Sequence, residues 1–496
     1  MNNEAEEASH QKQGRDLTEG SIPIHLVVFA WPMFLGSLLQ TMYTIINGYW
    51  VGRYLGTRAL AVITVSMPAM FVLTTLAFGI TMAASILVSQ AYGAKDWGRL
   101  RRVVQNGTVL TVCIATLCLV VALVSIRIIL LAMNTPPNVL PTALDYMRIF
   151  LWTLPPVFLI FLFSSMLRGI GDSRTPLIFQ SVGLLLTAIL DPLLMFGWLG
   201  FPRLGLNGTA VATVFSNVCC VLMLIVYLHV KKSVVAPNWR QLKADMEMTW
   251  LMVRIGVPSM LQNGMISLAV TVITSLVNTF GEKATAAFGA AMRIDSFAFL
   301  PALTMGMAVA ILSGQNIGAA KFDRVKQSFR WGLIISGSAT LAMGIYMAVD
   351  ARHLMQVLSS DPQVIVLGVG YLKIVPLSYV LLAALFTSNG VINGAGHTLF
   401  TAFSTFIALW LVRIPLAYYL AEHLRSLEGI WYAMVVGFAT GLIVSLIYYY
   451  SGLWKRPVGQ RRRFQVDGGI LDGRSSPSLA VSTHPVHETP DNDLHL

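Results

Sequence analysis

At 496 residues, with a mean hydropathy of +0.68 and only 11% charged residues, the chain is too apolar for a soluble protein and reads as polytopic in a membrane. The net charge of +11 is spread over the connections between apolar runs, not gathered on one face as nucleic-acid binding would need. The four cysteines (Cys113, Cys118, Cys219, Cys220) lie inside apolar runs without clustered His or carboxylate partners, which suits packing and not a metal site.

Residues 1–22 are polar and partly acidic, a tail with no apolar stretch of its own, so no cleaved signal is expected. Runs long enough to cross the hydrocarbon, about 20 residues, follow at 24–53, 59–91, 103–133, 143–170, 175–197 and 205–230. After a charged linker at 231–248 they resume at 249–280, 284–317, 328–349, 365–394, 398–422 and 429–453. The expectation is an all-α membrane protein of twelve spans, with a first lobe at 23–230 and a second at 249–453. The remaining 454–496, rich in Ser, Pro, His and Asp, reads as a disordered tail.

Basic residues fall mainly in the even-numbered connections: Lys95, Arg99, Arg101 and Arg102; Arg174; Lys231, Lys232, Arg240 and Lys243; Lys321, Arg324, Lys326 and Arg330; then Lys455, Arg456 and Arg461–Arg463. The odd ones carry less, namely Arg53 and Arg58, Arg203, Lys283, Arg352 and Arg425. The positive-inside rule therefore places the even connections and both termini in the cytoplasm.

The chain is written twice. Ser-Gln-Ala-Tyr-Gly-Ala at 89–94 returns as Gly-Gln-Asn-Ile-Gly-Ala at 314–319, so Gln90 falls on Gln315 at an offset of 225 (315 less 90). Gly56 and Gly281, Arg99 and Arg324, Pro137 and Pro362, and Tyr146 and Tyr371 share that offset. So do 169–172 and 394–397. Six spans per copy is an even number, so the copies run parallel, related by an axis along the membrane normal. Gly93-Ala94 and Gly318-Ala319 are tight cytoplasmic connections that fix helix packing.

Ionisable residues inside spans are functional candidates. Asp191 lies about two-thirds of the way across the fifth span, counted at about 1.5 Å per residue. Pro192 beside it frees the carbonyl of Ala188, making an oxygen-rich cation site; the alternative is a hydrated Asp that kinks its helix. Thr187 sits one turn away on the same face, and Asn47 and Thr209 reach a similar height. These oxygens suit Na⁺, with Asp191 and Asn47 as ligands, and Asp191 equally suits a carried proton. In the second lobe Arg293, Asp295 and Arg413 form another polar set, and an Asp295–Arg413 ion pair of structural use is plausible. Arg148 and Lys373, repeat mates near external span starts, read as snorkelling anchors. Tyr43, Trp50, Met67, Phe78, Met260 and Met265 face lipid or line the seam as an adaptable apolar surface. There is no nucleophile elbow, Walker-type loop or zinc-spaced His pair, so transport would draw on an ion gradient.

Trp31-Pro32, Trp50-Val-Gly-Arg53, Arg168-Gly-Ile-Gly-Asp172, Asp191-Pro192, Pro258, Met292-Arg-Ile-Asp295 and Gly314-Gln-Asn-Ile-Gly-Ala-Ala320 occur in one order. Together they resemble the multidrug and toxic compound extrusion (MATE) family over about 24–453. The resemblance implies two parallel six-helix lobes around a central V-shaped cleft, with Pro32 and Pro192 as helix kinks. It implies export of organic cations or drugs in exchange for Na⁺ or H⁺, with no other cofactor and no enzymatic activity. The family's first-lobe cation site maps onto Asn47, Thr187, Asp191 and Thr209. Members of this type usually carry Asp where this chain has Asn47, and the second-lobe acids of the other major subgroup have no counterpart at 260–267 or 382–389. Asp191 is therefore the one first-lobe carboxylate left for coupling.

The resulting expectation is a monomeric multidrug antiporter of the bacterial inner membrane, in contact with lipids and not with nucleic acid. The alternative is a lipid-linked saccharide flippase, which would want cationic side chains in the cleft for a pyrophosphate.

Overall fold

The computed structural model describes residues 14–54, 56–133, 135–240, 242, 245–456 and 458. Most of the two expected tails (1–13 and 459–496) and the side chains of Trp50, Arg58 and Met67 lie outside the described residues. Among the described residues there is no strand, and twelve helical segments are long and apolar enough to cross a membrane. The first six are Ile22–Asn47, Val72–Gly93, Trp97–Ala132, Leu140–Gly169, Arg174–Phe196 and Leu206–Val230. The second six are Met246–Asn278, Glu282–Gly318, Phe322–Val349, Pro362–Gly394, Thr398–Leu424 and Glu428–Ser451. They are numbered here as spans one to twelve.

Local chemistry explains where the helices break. Span four tightens into a 3₁₀ turn at Leu151–Thr153, just before Pro155 and Pro156, and span ten does so at Pro376–Ser378. These breaks are repeat mates, 225 residues apart (376 less 151). Proline withholds a backbone N–H, and a 3₁₀ turn takes up the slack. Span eleven widens to a π-helix at Ile407–Arg413, immediately before Pro415. Pro32, Pro192, Pro258 and Pro301, by contrast, lie within continuous helices.

Four buried clusters hold the bundle, and their membership defines its shape. One cluster joins Ala59, Ala115, Met147, Phe158 and Ala210, all of the first half. Another joins Ile273, Phe288, Met355, Tyr371 and Trp431, all of the second half. The other two are mixed: Met248, Met252 and Ile255 of span seven enter the core built by Ala83, Leu87, Phe163 and Leu224. Reciprocally, Leu26 and Phe29 of span one enter the core built by Val309, Leu312, Phe329 and Val391. The two halves thus share cores at one end and keep separate cores at the other, which is a V.

The closed end of the V carries the basic connections. Gln90, Gly169, Gln315 and Gly394 meet there, as do Asn106 and the backbone N–H of Asp245, at 2.8 Å. Gly79 and Gly256 continue the close approach between spans two and seven, where a Cβ on either would crowd the other's backbone.

Candidate functional site: a buried carboxylate in the first lobe

Span five brings Asp191 against span one. Asn47 Nδ2 donates to Asp191 Oδ2 at 2.8 Å, and Tyr43 Oη donates to the same oxygen at 3.1 Å. Tyr43 and Asn47 are four residues apart on one helix, hence one above the other on the same face. Their own contact, Asn47 Nδ2 to Tyr43 Oη, is 3.4 Å. The other carboxylate oxygen, Asp191 Oδ1, is buried with no hydrogen-bond partner.

A cavity of about 40 Å³ adjoins the acid, lined by Tyr43, Asn47, Ala188, Asp191, Pro192 and Thr209 among others. One water needs roughly 10–15 Å³ by this measure, so there is room for a water or a small cation. Ala188, whose carbonyl Pro192 leaves without its helical partner, is part of the wall. Thr209 Oγ1 donates to Leu206 O at 2.8 Å, so its oxygen still has lone pairs to offer the cavity.

The expected first-lobe set therefore meets in part. Asn47, Asp191 and Thr209 share one cavity, with Pro192 in its wall. Thr187 is buried on the neighbouring turn, but its hydroxyl donates to Gly183 O at 2.8 Å and it is not among the cavity residues. Tyr43, expected to be one of several apolar seam residues, is instead a direct donor to the acid. The i, i+4 spacing to Asn47 was the signal available for it. Pro32 lies in span one well away from this set in sequence, inside a continuous helix.

The second-lobe residues divide differently. Asp295 is buried and accepts from Tyr371 Oη at 2.9 Å, while its Oδ1 has no partner. Arg413 is buried as well, but it does not form the expected ion pair with Asp295. Its guanidinium carbon stands 5.6 Å from the Phe438 ring centroid, and its stem packs on Gly437. Asp295 is held through one oxygen by Tyr371, while its Oδ1 and Nε of Arg413 are both buried without a hydrogen-bond partner. Arg293, two residues from Asp295 and so on the opposite side of span eight, is exposed. Arg148 and Lys373 are exposed, as snorkelling anchors would be.

The MatE family model matches residues 32–193 and 258–419, one copy in each half. The Bacillus subtilis protein named "Probable multidrug resistance protein YoeA" is 33% identical over 451 residues, 90% of this chain and 96% of that one. The Thermotoga maritima protein named "Probable multidrug resistance protein NorM" is 27% identical, over 88% of this chain and 94% of its own. The fold is that of a solved structure described as an outward-facing multidrug resistance MATE family transporter of the MOP superfamily. That likeness has a TM-score of 0.82 at 23% identity, over 88% of this chain and 97% of the other. Two copies of one domain, twelve spanning helices and a relative matched over nearly its whole length lead to one assignment: this multi-pass membrane protein belongs to the MATE family of transporters.

Proposed function

We propose that the chain is a proton-coupled multidrug antiporter that exports organic cations or drugs across a bacterial inner membrane by alternating access. Both termini are cytoplasmic in this reading, and Asp191 carries the coupling ion. The observation that carries it is the open oxygen of a buried acid: Asp191 Oδ1 has no partner in a wall that already holds room for an occupant. Relatives named for multidrug resistance support the drug side of the exchange.

The donor pattern favours H⁺ over Na⁺. Asn47 and Tyr43 both point hydrogens at Asp191, and the Thr187 hydroxyl is turned to its own helix. Sodium wants several oxygen lone pairs around it, whereas a proton needs only the one open oxygen. A second reading, Na⁺ coupling, is supported by the cavity's size and the Thr209 oxygen; it would require Asn47 to turn its carbonyl inward. A flippase would want cationic side chains in the cleft for a pyrophosphate, and Arg413 is instead buried against the Phe438 ring, which supports the antiporter reading.

The test is efflux of a fluorescent organic cation from proteoliposomes under an imposed proton gradient or an imposed Na⁺ gradient, for the wild type and Asp191→Asn. Proton-driven efflux lost in the variant is the expected result. Na⁺-driven efflux alone would move the assignment to sodium, and no movement under either gradient would overturn the antiporter reading.

A further inference from the structure

The repeated Gln-x-x-Gly-Ala motif does something between the halves that neither copy does within itself. Gln90 Nε2 of the first half donates to Gly394 O of the second at 2.8 Å. Gln315 Nε2 of the second half donates to Gly169 O of the first at 2.9 Å. Gln90 and Gln315 are repeat mates, and so are Gly169 and Gly394, so these are two copies of one bond exchanged across the seam.

The motif's glycines follow the same rule. A Cβ on Gly93 would overlap the backbone carbonyl of Gln315, and a Cβ on Gly318 would overlap that of Gln90. Each glycine is thus the place where the opposite glutamine's backbone lies. Gln90 and Gln315, each 0% exposed, are buried with Gly93, Gly169 and Gly394 at the end where the halves share cores, and Gly318 is half-buried there. A glutamine amide buried there is stable only while its carbonyl partner stays within reach.

One element breaks the symmetry. The segment Arg15–Gly20 lies over the seam as a strap, with Arg15 N donating to Ile170 O at 3.0 Å on the first half. On the second half, Leu17 N donates to Gln315 Oε1 at 3.0 Å and Arg324 Nη2 donates to Gly20 O at 3.0 Å. Gln315 is therefore held through both its amide groups, whereas Gln90 Oε1 is buried with no partner. Leu17 itself is 0% exposed, so the strap is packed as well as bonded.

We infer that Gln90, Gln315 and the Arg15–Gly20 strap form the cytoplasmic gate of the transporter, which opens by breaking the reciprocal pair of bonds. The Gln315 side is the stronger latch because the strap adds a bond to it. The inference rests on alternating access and is independent of which ion drives it.

The glycines supply a test that spares the lobes. Alanine suits a helix better than glycine, so Gly93→Ala and Gly318→Ala leave each lobe's own helices intact and obstruct only the closed seam. Spin labels at Lys95→Cys and Ala320→Cys, repeat mates flanking the seam, read the gate width of the full chain in liposomes. Both positions already hold non-glycine residues at positive φ (55° and 56°), and the four native cysteines would be replaced by alanine. Either glycine variant is expected to shift the distance distribution to longer values, and Gln315→Leu to shift it further than Gln90→Leu. Unchanged distributions in all four variants would overturn the inference. So would a loss of thermal stability with no longer-distance population, since that marks packing alone. A larger shift for Gln90→Leu than for Gln315→Leu would overturn the strap's part. Because this readout needs neither substrate nor gradient, it can fail while the efflux assay succeeds, or the reverse.

Discussion

Asn47 holds Asp191 from across a helix boundary, its amide 2.8 Å from the one carboxylate oxygen that is occupied. The arrangement gives an amide the job of orienting an acid, so that the second oxygen stays free for the coupling ion. Hydrogen bonds to charged groups contribute roughly 1.5–3 kcal/mol. Asn47→Leu should therefore lower gradient-driven efflux on the order of tenfold or more, about 1.4 kcal/mol per factor of ten. The assay is initial efflux rate at saturating gradient; wild-type rates would remove Asn47 from the site.

Tyr43→Phe should do less harm than Asn47→Leu. The ring remains to line the cavity, Asn47 still donates to Asp191 at 2.8 Å, and what disappears are the longer bonds of 3.1 Å to Asp191 and 3.4 Å from Asn47. Ranking the two variants in the same vesicles checks this, and an inverted order would make the tyrosine the principal donor.

Gly208 lies directly before Thr209, and a side chain there would run into the backbone of Leu194 in span five. Gly208→Val should push span six away from span five at the cavity, costing about 1–3 kcal/mol as an overpacked contact. Both thermal stability in detergent and efflux should fall. A stable variant with normal transport would mean that the two spans are free to part here.

In the second lobe, Asp295→Leu leaves Arg413 buried without an acid in its neighbourhood. Tyr371 Oη loses its acceptor as well, and a buried donor left unsatisfied costs about 1–3 kcal/mol. The double variant Asp295→Leu with Arg413→Leu should lose much less than the two single losses combined. Additivity to within about 0.5 kcal/mol in unfolding measurements would show that the two charges do not communicate through Tyr371 and Tyr379.

Trp431 is 2% exposed and sits between Phe288, with centroids 5.4 Å apart and 17° between planes, and Tyr371, at 4.9 Å and 84°. Trp431→Ala should cost about 3–5 kcal/mol, seen as a lower unfolding temperature. Tyr371 is the donor to Asp295, so the same change should also unsettle that acid.

Depth and periodicity carry a reader of the sequence a long way here. The twelve spans follow from apolar length, and the repeat from paired Gln and Gly residues, because both are local patterns. Asn47, Asp191 and Thr209 could be placed at one height by counting residues, and they do share a cavity. Height leaves azimuth open, however. Thr187 has the right height, yet a helical threonine can satisfy its hydroxyl on its own backbone, as it does with Gly183. Asp295 and Arg413 also match in depth, but the π-helical stretch ending at Arg413 alters the direction of that side chain, and no propensity predicts it. The Gly-Ala connections were legible as packing points. Their partners, 146 and 304 residues away from the glutamines, were not.

The exchanged glutamine bonds obey the rule of an isologous dimer, in which a patch meets its own copy and every contact occurs twice. Had the two halves been separate identical chains, Gln-to-Gly and Gly-to-Gln contacts would have closed a two-fold pair without further change. The strap is what a single fused chain adds, since among the described residues only Arg15–Gly20 lies over the seam in this way, and it favours one side. Fusion thus turns a symmetric hinge into one with a preferred edge, and that edge lies where the chain begins its first crossing.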